Sequence, residues 1–437
     1  MAIRRAFVSG AGAKVLTILL GLAAIGAATR HLGANAYGVV AIIVGLTGLF
    51  GFLDFGIGGS LVSDLARSYA RRTVRDMRTA VTNSYAALSV IGGLVVVLGC
   101  PIVLNLPSEL LFDAPGVNAT EIRLSLLLYV VATGVTLPFN VGPRIALSLQ
   151  FGLLTGIVNL VSGVMVLVLV AIGVSFDLSL SYFVLIFVGV PGITNFAVTI
   201  YLFIRHKRYV LPKWSLLSFS GALNMVLRGL PFLVMGIAGA IAYQTDILVV
   251  AYVLGSAGAA VFAVLTRIFS SLIQLFAGGL QQMWASVAHA LAEDDKEWVR
   301  RKFWHTFSIT MTLFVVAAGL AVLLGPSLVP IWVGSSISPS WDLFLAFAVW
   351  NTYNFAMMQF SFLLNGAGKV WSQAIPALIM AGINVPLSIY LTQQIGLAGP
   401  LYGSLISHSL TVGWLTVLWA LRVLRPADSQ VRISSHA

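Results

Sequence analysis

A few charged residues sit inside stretches that otherwise carry almost none, and they are where this chain could do chemistry. Asp54 lies in GLFGFLDFGIGG, Arg267 in FAVLTRIFSSLIQLF, and Arg228 and Asp246 in one apolar run, 18 residues apart. Lys14 interrupts the first apolar run and Arg30 closes it, in RHLGANAYG. At the centre of a membrane helix such a charge costs roughly 2.5–3.5 kcal/mol, and each Leu returns only about 0.3–0.6 kcal/mol. A charge kept there serves binding: a carboxylate takes a cation, and the guanidinium fork suits phosphate or carboxylate oxygens. Bond-making chemistry is not encoded. No G-x-x-x-x-G-K-[ST] phosphate loop occurs, the six histidines show no H-E-x-x-H spacing, and no Ser or Cys nucleophile motif stands out. Cys100, the single cysteine, excludes a disulfide within the chain and reads as a small packing residue. No cofactor and no metal site are expected; coupling to H+ or Na+ stays open.

The elements that must hold these charges are membrane helices. The chain is 59% hydrophobic and 9% charged, with mean hydropathy +0.98, against about 25% charged in ordinary soluble domains. Its apolar runs are continuous, so they read as helices and not as the alternating strands of a barrel. Twelve apolar segments are predicted: 7–29, 38–60, 81–104, 122–145, 151–174, 180–204, 222–247, 257–281, 304–325, 342–364, 372–394 and 399–421. The first is long enough to span and reads as an uncleaved helix. The fold class is all-α, a polytopic membrane protein with twelve transmembrane helices in two six-helix lobes.

Placing the N-terminus in the cytoplasm and alternating puts 22 of the 25 basic residues on the inner side; only Arg30, Arg123 and Arg267 remain. That bias sets the orientation, with both termini cytoplasmic. The net charge of +11 is therefore a matter of topology, and no nucleic-acid partner is expected. The connections are short, with no room for an extramembrane catalytic domain, and the sequon Asn118-Ala119-Thr120 reads as chance.

The chain also echoes itself. A shift of 222 residues sets Leu32-Gly33 on Leu254-Gly255 and Arg78 on Arg300; a shift of 225 sets Asn140, Arg144 and Asn159 on Asn365, Lys369 and Asn384. Two parallel copies are predicted, an N-terminal lobe over 1–210 and a C-terminal lobe over 211–421, followed by a cytoplasmic tail over 422–437. Polar residues recur at helical spacing: Arg267, Ser271, Gln274, Gly278 and Gln281; Asn351, Asn354, Met358, Ser361 and Asn365; Thr133, Thr136, Asn140 and Arg144; Thr47, Gly51, Asp54 and Gly58. Each is a single-face stripe. Helix packing explains any one of them; stripes on several helices in both halves favour a wet cavity between the halves. Arg228 and Asp246 share a face about 27 Å apart, too far to pair. Arg228 either snorkels to the inner surface or faces the cavity, and so does Lys14. Asp246 either caps the outer end of its helix or lines the path, and Arg30 is either an interfacial stop or the cavity rim. Pro138, Pro191, Pro231 and Pro386 interrupt spans and predict kinks.

The motifs ATRHLGANAYGVVAI, FGFLDFGIGGSLV, YQTDILVVAYVLGSAGAAVFAV, FLLNGAGKVWSQ and IGLAGPLYGSLIS follow in that order over nearly the whole chain. Together they resemble the polysaccharide flippases, the Wzx or PST branch of the MOP superfamily. In that family a Leu-Gly…Tyr-Gly turn joins the first two helices, here Leu32, Gly33, Tyr37 and Gly38; its second-half counterpart here is Asp246, Leu254 and Gly255, without an aromatic match to Tyr37 at the same shift. The resemblance implies a V-shaped two-lobed bundle working by alternating access. It also implies a substrate, an undecaprenyl-diphosphate-linked oligosaccharide turned from the cytoplasmic to the outer leaflet, and membrane proteins of polysaccharide assembly as partners. Arginines facing the path would take the diphosphate or acidic sugars, Arg267 first, with Lys14, Arg30 and Arg228 behind it. Asp54, Asp246, Gln274, Asn351, Asn354 and Asn140 complete the expected substrate path. The competing expectation is a cation-coupled multidrug exporter of the MATE type, which shares the frame but favours acidic groups along the path. An enzyme such as a glycan polymerase would need a large outer loop or an acidic cluster, and neither is visible.

Overall fold

The computed structural model describes residues 2–70, 73–107, 114–149, 151–205, 211–292, 294–369 and 371–425. Among them there are helices and turns and no strand. In chain order the helices are α1 (Ala2–Leu49), α2 (Ile57–Ala70), α3 (Val74–Leu104), α4 (Ala119–Thr136), α5 (Val141–Ser148), α6 (Gly152–Ser175), α7 (Leu180–Arg205), α8 (Phe219–Gln244), α9 (Asp246–Ala292), α10 (Lys296–Val333), α11 (Trp341–Gly366), α12 (Trp371–Ile395), α13 (Gly399–His408) and α14 (Trp414–Val423). Among the described residues, eight helical runs are long and apolar enough to cross a membrane. The run Ile375–Val423, at 49 residues, is far longer than the ~20 residues one crossing needs. Apolar side chains also stand exposed in rows: Val90, Leu94, Val97, Leu98 and Ile102 line one face of α3. Such a face suits acyl chains, not water.

The two glycines of the sequence echo do the same job. α1 breaks at Gly33 and α9 breaks at Gly255, each with φ 74° and an extended ψ. A side chain is disfavoured at that φ, so each Leu-Gly pair of the sequence echo fixes a bend.

Two expected spans differ from the structure. The segment 38–60 is not one helix: it passes through a 3-10 turn at Phe50–Asp54, then through Phe55 and Gly56 at positive φ, before α2 begins. The cause is local. Oδ1 of Asp54 accepts the backbone N–H of Gly56 at 2.9 Å, a side-chain bond that competes with the helical ladder. The run 222–247 also divides, at Thr245, so Asp246 opens α9 and does not share a helix with Arg228.

The chain separates into two compact units, Met1–Ala240 with Gly255–Ala260, and Ile241–Leu254 with Val261–Ala437. The stretch before Ala240, which the repeat assigns to the second half, is tied to the first unit by polar bonds. The backbone N–H of Lys213 donates to Thr82 Oγ1 (3.0 Å) and that of Ser218 to Asn83 Oδ1 (3.2 Å). Ser60 Oγ donates to the Met225 carbonyl (3.3 Å), and Ser84 Oγ donates to the Met225 sulfur (3.0 Å). In the first unit α1 packs on α6 and α7, and α3 on α4. A core of Ile57, Leu61, Leu65, Val81, Leu88, Val141, Ile145 and Leu202 fills it. Oε1 of Glu121 receives the N–H of Leu180 at 2.9 Å, so α4 caps the start of α7. In the second unit α10 packs on α11 through stacked Phe314 and Phe355, centroids 4.4 Å apart, and through a Thr310 Oγ1 to Gln359 Oε1 bond of 2.9 Å.

The α3–α4 crossing depends on small residues. A Cβ on Gly92 would collide with the backbone carbonyl of Gly134. Gly92→Leu is therefore expected to destabilise the first unit by at least about 1–3 kcal/mol, the usual penalty of overpacking. The check is the midpoint of thermal aggregation of the detergent-purified protein, which falls for Gly92→Leu and holds for a Val97→Leu control on the exposed face.

Candidate functional site

Each unit places an acidic residue in a polar setting inside its helices, and the two settings differ. In the first unit the turn that breaks the second span carries Asp54. Oδ2 of Asp54 lies 3.8 Å from Nη2 of Arg144 on α5, with the side chains 19% and 46% exposed respectively. The pair brings two opposite charges together, which reduces what either would cost alone. At this exposure the bond itself is worth under about 1 kcal/mol. It leaves most of the five guanidinium donors for other acceptors. Arg144 was expected only as an inner-side charge at the end of a polar stripe, so its role beside Asp54 is new. Its helical register with Asn140 was the available signal.

In the second unit Asp246 occupies the first turn of α9, only 7% exposed. A chain of donors runs toward it. Ser388 Oγ donates to Asn384 Oδ1 (3.1 Å), Asn384 Nδ2 donates to Ser404 Oγ (2.8 Å), and Ser404 Oγ donates to both carboxylate oxygens at 3.4 Å. The contributors come from α12 and α13, which pack along their length. Among the described residues no basic side chain forms an ion pair with Asp246. Neutral donors at 3.4 Å are long for hydrogen bonds and compensate a buried negative charge only in part. The cluster is thus suited to a small cation or a proton. Spacing alone could have found it: Asn384, Ser388 and Thr392 recur every four residues, and Ser404 sits in LYGSLISHS.

The other expected residues scatter. Arg267 is half-buried on α9, and its backbone carbonyl accepts the hydroxyls of Ser270 (3.2 Å) and Ser271 (2.7 Å). Lys14 is half-buried on α1; Arg30 and Gln274 are exposed. Asn351 is buried and spends its amide on the Phe347 carbonyl of its own helix at 2.9 Å, and Asn354 is half-buried. Asn140 is exposed and accepts from Asn195 Nδ2 at 3.0 Å. The side chains of Arg228, Gly278 and Gln281 lie outside the described residues. The structure joins Asp54 to Arg144 and Asp246 to Ser404, and neither partner was on the expected path.

Residues 28–342 match the family model of polysaccharide biosynthesis proteins. The chain belongs to that family. The fold of this polysaccharide biosynthesis protein is that of MOP-superfamily transporters. It is similar to an inward-facing multidrug-resistance MATE transporter, with TM-score 0.79 and 18% identity over 93% of this chain and 94% of that one. It is also similar to a MOP transporter from Pyrococcus furiosus, described as having a binding pocket of reverse polarity that suggests a different function, with TM-score 0.65 and 17% identity over 95% and 96%. An outward-facing MATE transporter gives TM-score 0.64 and 17% identity over the same shares. No curated protein matches the chain. Family and fold together make this chain a multi-pass membrane protein of polysaccharide biosynthesis that carries the fold of MOP-superfamily transporters.

In the polysaccharide biosynthesis protein the Asp54–Arg144 pair gives a direct prediction. Arg144→Ala leaves Asp54 partly buried without its cation, and surface glycan is expected to fall several-fold; the double variant Asp54→Asn, Arg144→Ala recovers part of the loss, because no orphaned charge remains. Surface glycan per unit of membrane-embedded protein is the readout. Equal losses in the single and double variants would show that the guanidinium, not its pairing, matters.

Proposed function

We propose that the chain flips a polyprenyl-diphosphate-linked oligosaccharide from the cytoplasmic to the outer leaflet of the bacterial plasma membrane, by alternating access and with both termini cytoplasmic. What supports this is the family match over residues 28–342, a polysaccharide family carried on a transporter fold. The chemistry is compatible. A guanidinium within a span is a fork for diphosphate oxygens, and the chain offers Arg267 on its polar stripe. The isoprenoid tail stays in hydrocarbon, as the exposed apolar faces of the helices do. Asp246 takes the coupling cation, H+ or Na+. Other membrane proteins of polysaccharide assembly supply the substrate and accept the product.

A MATE-type exporter of cationic drugs is the second reading, favoured by the fold of the multidrug transporters and by Asp54 and Asp246. Deletion separates the two. In cells lacking the chain, lipid-diphosphate-linked glycan is expected to accumulate and surface glycan to disappear, both restored by the wild-type chain. Unchanged glycan with raised sensitivity to cationic drugs would establish the exporter instead.

A further inference from the structure

We propose that the connection between the two sequence halves, residues 211–219, is a lipid-binding strap. It lies in the headgroup layer of the bilayer and sets Trp214 and Phe219 into the acyl boundary. Lys213, with Arg75 and Arg205, takes the phosphates of anionic phospholipid. Nothing in this depends on what the chain transports.

The strap is held by α3. The backbone N–H of Lys213 donates to Thr82 Oγ1 at 3.0 Å and that of Ser218 to Asn83 Oδ1 at 3.2 Å, so both ends are tied to one turn of that helix. Between the ties the chain makes a 3-10 turn, Trp214–Leu216. Ser218 Oγ then accepts the N–H of Gly221 at 2.9 Å, in the first turn of α8. These bonds use backbone and polar groups and leave the large side chains outside. Trp214 is 80% exposed and Phe219 85%, and no other large apolar side chain among the described residues is more exposed.

What covers the two rings follows from what they continue. Phe219 starts a row on α8 in which Leu223, Leu227 and Leu230, at steps of four, four and three, are also exposed. The row runs about 16 Å along the helix. It belongs to the apolar segment 222–247, and such a face suits acyl chains. Phe219 and Trp214 are at its shallow end. α3 gives the same level: Thr82 and Asn83 lie about 10 Å along the axis before Val90, where its exposed apolar row begins. A tryptophan, apolar in body and polar at its N–H, collects at that level of a bilayer.

Charge selects the lipid. Arg205, Lys207, Arg208 and Lys213 fall within nine residues, and Arg75 stands on α3 two turns before Thr82, on the same face. Arg75, Arg205 and Lys213 are exposed. Asp76 is the only acid in 73–83 and 200–230. A basic surplus beside the membrane draws anionic headgroups. The alkyl stems of Lys and Arg lie along apolar surface while their charged ends stay among the phosphates.

The test reads lipid contact directly. Cys100, the single cysteine, is replaced by serine. The full chain then carries an environment-sensitive NBD label at Trp214→Cys or, in a second variant, at Phe219→Cys. It is reconstituted in phosphatidylcholine vesicles with or without phosphatidylglycerol. Quenchers are aqueous iodide and lipids bearing a nitroxide either near the headgroup or deep in the chain. Two positions calibrate them: Leu227→Cys, on the acyl-facing row of α8, and Asp177→Cys, where the native side chain is 97% exposed on a connection. Both strap labels are expected to be quenched more by the shallow nitroxide than by the deep one and to be protected from iodide. Phosphatidylglycerol shifts their emission to the blue, and the combined variant Arg75→Gln, Arg205→Gln, Lys213→Gln loses that shift. Iodide quenching as strong as at position 177 would place the strap in water and overturn the proposal. Protection from every quencher would show that protein covers the rings and would overturn it as well. Lipid contact that ignores phosphatidylglycerol would overturn the recognition of anionic headgroups.

Discussion

Asparagine in place of Asp246 is expected to lower ion-driven transport sharply while leaving the protein folded. The amide has the size of the carboxylate and still accepts from Ser404, so the donor chain from Ser388 through Asn384 is kept. What goes is the negative charge, 7% exposed and without a described basic partner. Coupling between two bound species is typically worth 1–3 kcal/mol, so transport under an ion gradient is expected to fall roughly five- to 150-fold. Removing an uncompensated buried charge does not weaken the fold, so thermal stability of the Asp246→Asn protein stays level or rises. Transport without a gradient should fall less than transport with one. If both fall equally, Asp246 shapes the substrate path and does not carry the ion.

Arg267→Ala is the second large loss. The side chain is half-buried on α9, on the face shared with Ser271 and Gln274. The local helix does not depend on the guanidinium, because the hydroxyls of Ser270 and Ser271 bond the carbonyl of residue 267 and not its side chain. The variant is therefore expected in the membrane at normal abundance. A hydrogen bond to a charged group contributes about 1.5–3 kcal/mol, so losing one at the diphosphate lowers export roughly 10- to 150-fold. Arg267→Lys keeps the charge but not the fork and falls between the two. Surface glycan normalised to membrane protein is the measurement, and unchanged export in Arg267→Ala would take this residue out of the mechanism.

Much of the architecture could be read from residue patterns, because a bilayer leaves a chain few options. Continuous apolar runs with 9% charge admit only helices. The 222-residue echo was carried by Leu32-Gly33 and Leu254-Gly255, and both glycines share φ 74°. What stayed hidden depends on contacts that a linear pattern does not contain. Asp54 read as a charge on an intact helix, yet the same short carboxylate can end a helix by bonding Gly56, and helical periodicity is blind to that choice. Arg144 read as one more inner-side charge until α5 brought it to Asp54. Gln244 and Thr245 carry no glycine or proline to mark the break before Asp246. Asn351 read as a path residue on a polar stripe; its amide also bonds the Phe347 carbonyl of its own turn, a contact the stripe does not contain.

The most direct test is translocation itself. The full chain is reconstituted in vesicles carrying a fluorescent polyprenyl-diphosphate oligosaccharide, and an impermeant reagent quenches the label on the outer leaflet under an imposed H+ or Na+ gradient. Flipping by a polysaccharide transporter gives gradient-dependent crossing of the labelled head group, slowed by Asp246→Asn and Arg267→Ala. Vesicles that leave the glycan where it was and instead expel a cationic dye would contradict it.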